Sequence, residues 1–253
     1  MEPVALPAEA DRTIRGRGTS EAEWSEWNGW GSPATPVDTL VPSRLVVVAP
    51  HPDDEVLAAG GLLRDVVRAG RPVLVVAVTD GGASHPGSTR WPAAELIIQR
   101  RAERERALQA LGVAASSVRE LGIPDGAVTS HRRVIVNALR DWLRSADTVV
   151  APWCYDGHPD HEATGEAVRI AATGRRMTVL HALVWGWHWA RPPQLSTSAY
   201  RYRLSEETRH AKRQALEAFT SQLEPDPTTA AEPILPDWSL PRWLRPDEIY
   251  LYD

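Results

Sequence analysis

Apolar residues in this chain come in short unbroken runs separated by amphipathic stretches. Leu45-Val46-Val47-Val48-Ala49 and Val73 to Thr79 carry no polar alternation. Runs of this kind have both faces buried, as strands of a parallel sheet do. A third strand is predicted near Val118 to Leu121, a fourth over Thr148 to Pro152 and a fifth over residues 178–185. Helices are predicted between them. Residues 56–69 form the first, with Gly70 as its C-cap and Arg71-Pro72 as a stop. Residues 93–111 set Ile97, Ala107, Leu108 and Leu111 against a charged face and end at Gly112. Residues 131–144 form another amphipathic helix, and one more runs from the 158–161 region to about Ala172. This alternation predicts an α/β fold: a Rossmann-like, doubly wound, mainly parallel sheet of order 3-2-1-4-5 with right-handed crossovers.

The pattern changes at both ends. Residues 1–43 are polar, with Trp24, Trp27 and Trp30 at a spacing of three. They are expected to form an N-terminal extension packed on the body, with a short helix over Ser20 to Trp27. Residues 44–253 are expected to form the main domain, ending in a Pro- and Trp-rich region over 186–253. Within it a helix is predicted from Ser205 to about Ser221, and an edge strand from Glu248 to Tyr252.

Composition narrows the function classes. The net charge is −5, from 28 Lys+Arg against 33 Asp+Glu. So mild a balance gives no electrostatic case for nucleic acid or an anionic membrane. The single cysteine, Cys154, excludes an intrachain disulfide. Met1 to Gly18 lacks the apolar core of a secretory leader, and the expected compartment is cytoplasmic. No run approaches the roughly 20 apolar residues that a membrane-spanning helix needs. Eleven tryptophans are many for 253 residues; they suit either loop packing or the faces of sugar and apolar ligands.

The candidate chemistry sits at two strand ends. Pro50-His51-Pro52-Asp53-Asp54-Glu55 follows the first strand, and Gly157-His158-Pro159-Asp160-His161 follows the fourth. In the order 3-2-1-4-5 those strands are neighbours, and their carboxyl ends face one cleft. Two imidazoles and a carboxylate satisfy a catalytic zinc that keeps one position open. The best set is His51, Asp54 and His161. Asp53 then lies beside the ion as general base. His158 remains, with Asp160 placed to orient its ring, and an imidazolium there would stabilise an oxyanion and protonate a leaving amine. Glu55 reads as a brace for the turn.

These two segments resemble the (A/P)HPDDE and HPDH motifs of the PIG-L/LmbE family of zinc-dependent N-acetylglucosamine deacetylases. Arg100-Arg101-Ala102-Glu103 is similar to the family's RxxE helix. The resemblance covers about residues 44–220. It implies Zn²⁺ held by His51, Asp54 and His161, Asp53 as base, His158 as electrostatic catalyst with Asp160 as its partner, and Arg100 as a substrate contact. The loop after the second strand departs from the glutamate-rich family pattern. It reads Thr79-Asp80-Gly81-Gly82, and Asp80 is a candidate for a sugar hydroxyl. Trp185-Gly186-Trp187-His188-Trp189 and Lys212 to Gln222 look like bacterial members acting on glycosylated natural products. His188 is a candidate for the acceptor side of the cleft, with packing among tryptophans as the alternative. Acceptor specificity is expected in loops 80–92 and 186–200 and in the termini.

The implied activity is removal of an N-acetyl or other N-acyl group from a 2-acetamido sugar or its conjugate. The implied partner is a small-molecule amino sugar, with no nucleic acid and no membrane insertion. The near alternative is an amidase of the same family on a thiol or other conjugate. A non-haem iron oxygenase would use His158-x-Asp160 in a facial triad, but leaves His51-Pro-Asp-Asp unexplained. A nucleotide-binding module would need a glycine-rich turn after the first strand, where this chain has three carboxylates that repel phosphate.

Overall fold

The structure is a computed structural model of the chain and describes residues 12–26, 33–195 and 198–252. Two short helices come first, α1 (Glu21–Glu26) and α2 (Val37–Leu40). The core then alternates through β1 (Leu45–Ala49), α3 (Asp54–Arg68), β2 (Val73–Thr79), α4 (Ala93–Ala110), β3 (Val118–Ile123), α5 (Val128–Trp142), β4 (Thr148–Pro152), α6 (Pro159–Ala172) and β5 (Thr178–Ala182). The C-terminal part adds α7 (Gly186–Trp189), β6 (Ala199–Arg203), α8 (Glu206–Leu216), α9 (Thr220–Leu223) and β7 (Asp247–Leu251). No described helix is long and apolar enough to cross a membrane.

The strands form one sheet of order β3-β2-β1-β4-β5-β7-β6. The first five are parallel to one another, so the expected order 3-2-1-4-5 is observed. β7 pairs antiparallel with both β5 and β6. The strand expected at an edge over 248–252 is therefore interior, and β6 forms the edge on that side, with β3 at the other. The sequence reading missed β6 because Ala199-Tyr-Arg-Tyr-Arg is short and half polar, as an exposed edge strand permits.

Side chains on β1 alternate between two apolar layers. Leu45 and Val47 point into a core shared with α3, α4, α8 and the tryptophans of the C-terminal region. Val46 and Val48 point to the opposite core, under α5 and α6. This two-sided burial explains why β1 contains no polar position. The layers leave the carboxyl ends of β1 and β4 side by side, paired at Leu45–Thr148, Val46–Val149 and Val47–Val150.

Helix α3 begins at Asp54, two residues before the expected start, and breaks at Ala59, where φ is −147° and ψ is 21°. The backbone groups freed by the break are satisfied by a buried ion pair. Lys212 Nζ donates to Leu57 O at 3.0 Å and to Glu248 Oε1 at 2.7 Å. Glu248 accepts in turn from the backbone N–H of Gly61 and Leu62, at 2.8 and 2.9 Å.

The described part of the N-terminal segment lies over the C-terminal region. Ser20 and Glu23 form a capping box at the start of α1. Trp24 is buried, with its indole N–H on Trp187 O at 3.0 Å. Thr19 is bonded to His188 O and Ala190 O, each at 2.7 Å. Trp27 and Trp30, the other members of the expected tryptophan face, lie outside the described residues.

Candidate metal centre and active site

The turn after β1 positions the first half of the site. Asp53 has φ 141°, a backbone region that residues with a Cβ rarely enter. Such a conformation costs about 1–3 kcal/mol and persists only where its surroundings fix it. Here Arg100, at 2% exposure, reaches from α4 beneath the turn. It donates to Gly81 O at 3.0 Å, to Pro52 O at 2.8 Å and to Asp53 Oδ2 at 3.2 Å. Glu55 is fully buried, and its Oε2 accepts from the Asp53 N–H at 3.3 Å, so Glu55 braces the turn. Burial raises the Glu55 carboxyl to about 7, against the pull of Arg104.

Three ligand atoms converge above this turn. His51 Nδ1 lies 3.1 Å from Asp54 Oδ2 and 3.2 Å from His161 Nε2. His161 Nε2 and Asp54 Oδ2 are also 3.2 Å apart. Zinc bonds of about 2.0–2.1 Å in a tetrahedral arrangement place neighbouring ligand atoms about 3.3 Å apart. The triangle therefore fits that ion, and two facing imidazole nitrogens at 3.2 Å need either a shared proton or a cation between them. His51 and His158 also stand edge to face, with ring centroids 4.9 Å apart, and these two with His161 form a second grouping of nitrogens within metal reach.

Both histidines of the triangle are oriented from behind. His51 Nε2 faces Asp125 Oδ1 at 3.2 Å and Asp160 Oδ2 at 3.3 Å. His161 Nδ1 faces Asp156 Oδ2 at 2.8 Å. A carboxylate on the far nitrogen fixes the tautomer that leaves the near nitrogen unprotonated for a metal. Asp156 is held by three consecutive backbone N–H groups, of Val184, Trp185 and Gly186, at 2.8–2.9 Å. Gly157 separates it from His158 with φ 96°, where a Cβ would stand 2.8 Å from Arg12 O.

The electrostatics follow from this crowding. Burial works against charge on His51, but Asp125, Asp160 and Asp54 outweigh it and hold the ring well above the usual imidazole range. His161 is likewise raised to about 9, as Asp54 and Asp156 overcome burial. Asp54 is held well below the carboxylate range, its burial outweighed by the two histidines. The cluster thus demands a cation, which protons supply in the metal-free protein and a metal would displace. Asp53 behaves differently: burial raises it to about 7, with Arg100 opposing.

The contacts of Asp160 and His158 differ from the pairing expected for them. Asp160 does not orient the His158 ring with its carboxylate. That carboxylate turns to His51 and to the backbone N–H groups of Gly126 and Val128, at 2.7 and 3.2 Å. Only the Asp160 backbone N–H meets His158, at Nδ1, because His158 is the N-cap of α6. His158 is also disfavoured as an imidazolium by its surroundings. Burial, with His161 and His51 alongside, lowers it to about 4, and an accepting Nδ1 leaves its proton on Nε2.

The three expected substrate contacts separate. Arg100 lines the cleft, but the hydrogen bonds of its guanidinium go to Pro52 and Asp53 in the turn after β1 and to Gly81. Asp80 lies outside the cleft lining, and its Oδ1 accepts from Gly82 N and Asp125 N at 3.0 and 3.1 Å, which seats the loop carrying Asp125. His188 is 3% exposed and also lies outside the lining. Its Nε2 meets Arg15 O at 3.0 Å and its Nδ1 meets Arg242 at 3.1 Å, so it anchors the N-terminal segment.

The cleft itself has a volume of about 210 Å³. Beside the site residues it is lined by Ser84 and Trp185, and by Gln222, Ile234 and Leu235 from the C-terminal part. Of the loops expected to shape the cleft, 80–92 contributes Ala83 and Ser84, and the C-terminal part contributes Gln222, Ile234 and Leu235, whereas no residue of 186–200 is in the lining. Asp125 and Asp156 were missed in the sequence. The available signal was position alone: Asp125 follows β3 and Asp156 follows β4, at the same end of the sheet as His51.

Comparison with known proteins agrees with this geometry. Residues 46–172 match the PIG-L family, described as GlcNAc-PI de-N-acetylase. The chain is 34% identical over 146 residues to 2'-N-acetylparomamine deacetylase of Streptomyces fradiae, covering 51% of this chain and 52% of that protein. It is 30% identical over 136 residues to diacetylchitobiose deacetylase of Thermococcus kodakarensis, covering 51% and 50%. The chain thus spans about half the length of the curated relatives it matches. Among solved structures, the zinc-inhibited form of teicoplanin deacetylase Orf2 superposes with a TM-score of 0.56 at 25% identity, covering 72% of this chain and 85% of that one. The family match runs from β1 to the end of α6 and so encloses both clusters of site residues; the chain belongs to the PIG-L family of de-N-acetylases.

Proposed function

We propose that this chain is a zinc-dependent N-deacetylase acting on a 2-acetamido sugar or its conjugate, such as a glycosylated natural product. The observation that carries this reading is the triangle of His51 Nδ1, Asp54 Oδ2 and His161 Nε2, with edges of 3.1–3.2 Å, next to a carboxylate raised to about 7. The substrate class is supported by relatives named for deacetylating paromamine, chitobiose and teicoplanin compounds.

His51, Asp54 and His161 would hold the ion. Zinc in such a site polarises a carbonyl and acidifies water. Asp53 accepts the proton of the attacking water as oxygen adds to the acetamide carbon. The neutral His158 directs its Nε2–H at the developing oxyanion, in the manner of an oxyanion-hole donor. Asp53 then returns its proton to nitrogen as the C–N bond breaks, giving acetate and a free amine. Arg100 keeps Asp53 in place through this cycle, and Asp125 and Asp160 keep His51 aimed.

The facial-triad alternative loses support, because the Asp160 carboxylate points to His51 and to backbone rather than sharing a ligand position with His158. The test is acetate release, read by mass spectrometry, from zinc-loaded protein given N-acetylglucosamine, its glycosides and glycosylated natural products. Release from at least one class, lost on chelation and restored by zinc, is expected. Release from none, or turnover that survives chelation, contradicts the reading.

A further inference from the structure

One residue of the cleft wall carries a buried polar atom without a partner. Gln222 is 0% exposed and lines the cleft, and its Oε1 has no hydrogen bond among the described residues. An acceptor left unpaired in the interior is costly, and a bound ligand that supplies a donor recovers the loss.

The orientation of that amide is fixed by a relay. Glu103 is fully buried on α4, and its carboxylate oxygens accept four hydrogen bonds. It takes Gln99 Nε2, Thr220 Oγ1 and Ser221 N on Oε1, at 2.8, 2.9 and 2.8 Å, and Ser221 Oγ on Oε2 at 2.7 Å. The Ser221 hydroxyl proton is therefore spent on Glu103. Its oxygen can then only accept from Gln222, whose Nε2 lies 2.8 Å away. A flipped amide would set an oxygen against that oxygen with no proton between them. The relay thus turns Gln222 Oε1 away from Ser221. The same residue fixes the adjoining wall, since Leu235 N donates to Gln222 O at 2.9 Å.

We infer that Gln222 is a specificity-determining residue whose amide oxygen accepts a hydrogen bond from the substrate, from a sugar hydroxyl or from the acetamide N–H. Helix α4 then serves both sides of the cleft: Arg100 secures the catalytic turn and Glu103, one helical turn on, orients the reader of the substrate. The assignment rests on the amino-sugar reading for its ligand class, and it predicts rejection of analogues that lack the donor, because a polar site left unpaired discriminates more sharply than an apolar one.

The experiment measures binding, in zinc-loaded protein carrying Asp53→Asn to stop turnover. Calorimetry is run with the methyl glycoside of N-acetylglucosamine, its 3-, 4- and 6-deoxy analogues and its N-methylacetamido analogue. Gln222→Met is expected to weaken the parent glycoside about 10-fold. One donor-deleted analogue should bind the Gln222 protein as weakly, with no further loss when the two changes are combined. The analogue that shows this identifies the donor. Ser221→Ala, which frees the amide to rotate, should give a smaller loss with the same analogue pattern, and thermal unfolding midpoints verify folding of each variant. Equal affinity in Gln222→Met and its parent overturns the assignment. So does an equal loss across every analogue, which marks a packing effect, or no measurable binding of the parent glycoside. If binding behaves as expected but the protein with Asp53 intact releases no acetate, the deacetylase reading fails and the Gln222 assignment stands.

Discussion

Arg100 meets Asp53 at 3.2 Å while the same guanidinium holds the Pro52 carbonyl at 2.8 Å. One cation therefore stabilises both the charge and the unusual backbone of the catalytic turn. Burial raises Asp53, and Arg100 is the first influence that opposes it. A base must be deprotonated to act, so activity climbs as pH rises through the Asp53 pKa. Removing the cation raises that pKa further. Arg100→Met should move the acidic limb of the kcat/KM profile to higher pH and lower the plateau by roughly 10- to 100-fold through loss of positioning. A bound zinc would lower the absolute value in both proteins, so the difference between the two profiles is the test. An unmoved limb would detach Arg100 from the base.

Asp156 offers a separate test, made on the metal. An amide at this position presents N–H where His161 Nδ1 and the Trp185 N–H now find an acceptor. Asp156→Asn should drive His161 to the tautomer protonated on Nε2, which cannot ligate. Zinc affinity, measured by competition with a chelating dye, is expected to fall about 10- to 100-fold. Unchanged affinity would show that the tautomer is fixed elsewhere.

The buried pair of Lys212 and Glu248 makes a prediction about stability. Both residues are almost fully buried and serve the break in α3. Lys212→Met keeps the side-chain volume but leaves Glu248 Oε1 without its cation and Leu57 O without its donor. A loss of about 3–5 kcal/mol is the usual result of removing one partner of such a pair, and denaturant unfolding reads it. A loss below about 1 kcal/mol would place the pair among those that contribute little to stability.

How legible the molecule was in its sequence depended on locality. Strands β1, β2 and β4 were readable because Val and Leu runs report burial on both faces, and β3 and β5 from their place in the β-α alternation. His51, Asp54 and His161 were readable because neighbouring strand ends bring them together once the order is known. Strand β6 was not, because an edge strand needs no apolar run. Asp125 and Asp156 were not, because each acts on the far nitrogen of a histidine brought near by folding, and nothing in its own segment records that partner. The contact of Asp160 with His51 was not legible for the same reason: proximity in sequence favoured His158, while the N-terminal turn of α6 directs its carboxylate at His51. His188 stands in a tryptophan-rich stretch that suits either a ligand or a core, and its contacts with Arg15 and Arg242 place it in the core.

The division of labour between the two adjacent aspartates is the central claim. Asp54 is in contact with both ligand histidines, whereas Asp53 turns away toward Arg100. Zinc stoichiometry of Asp53→Asn and Asp54→Asn, each reconstituted and desalted, tests it most directly. The account predicts about one zinc per chain in Asp53→Asn, with acetate release abolished, and almost none in Asp54→Asn. Zinc retained by Asp54→Asn and lost from Asp53→Asn would contradict it.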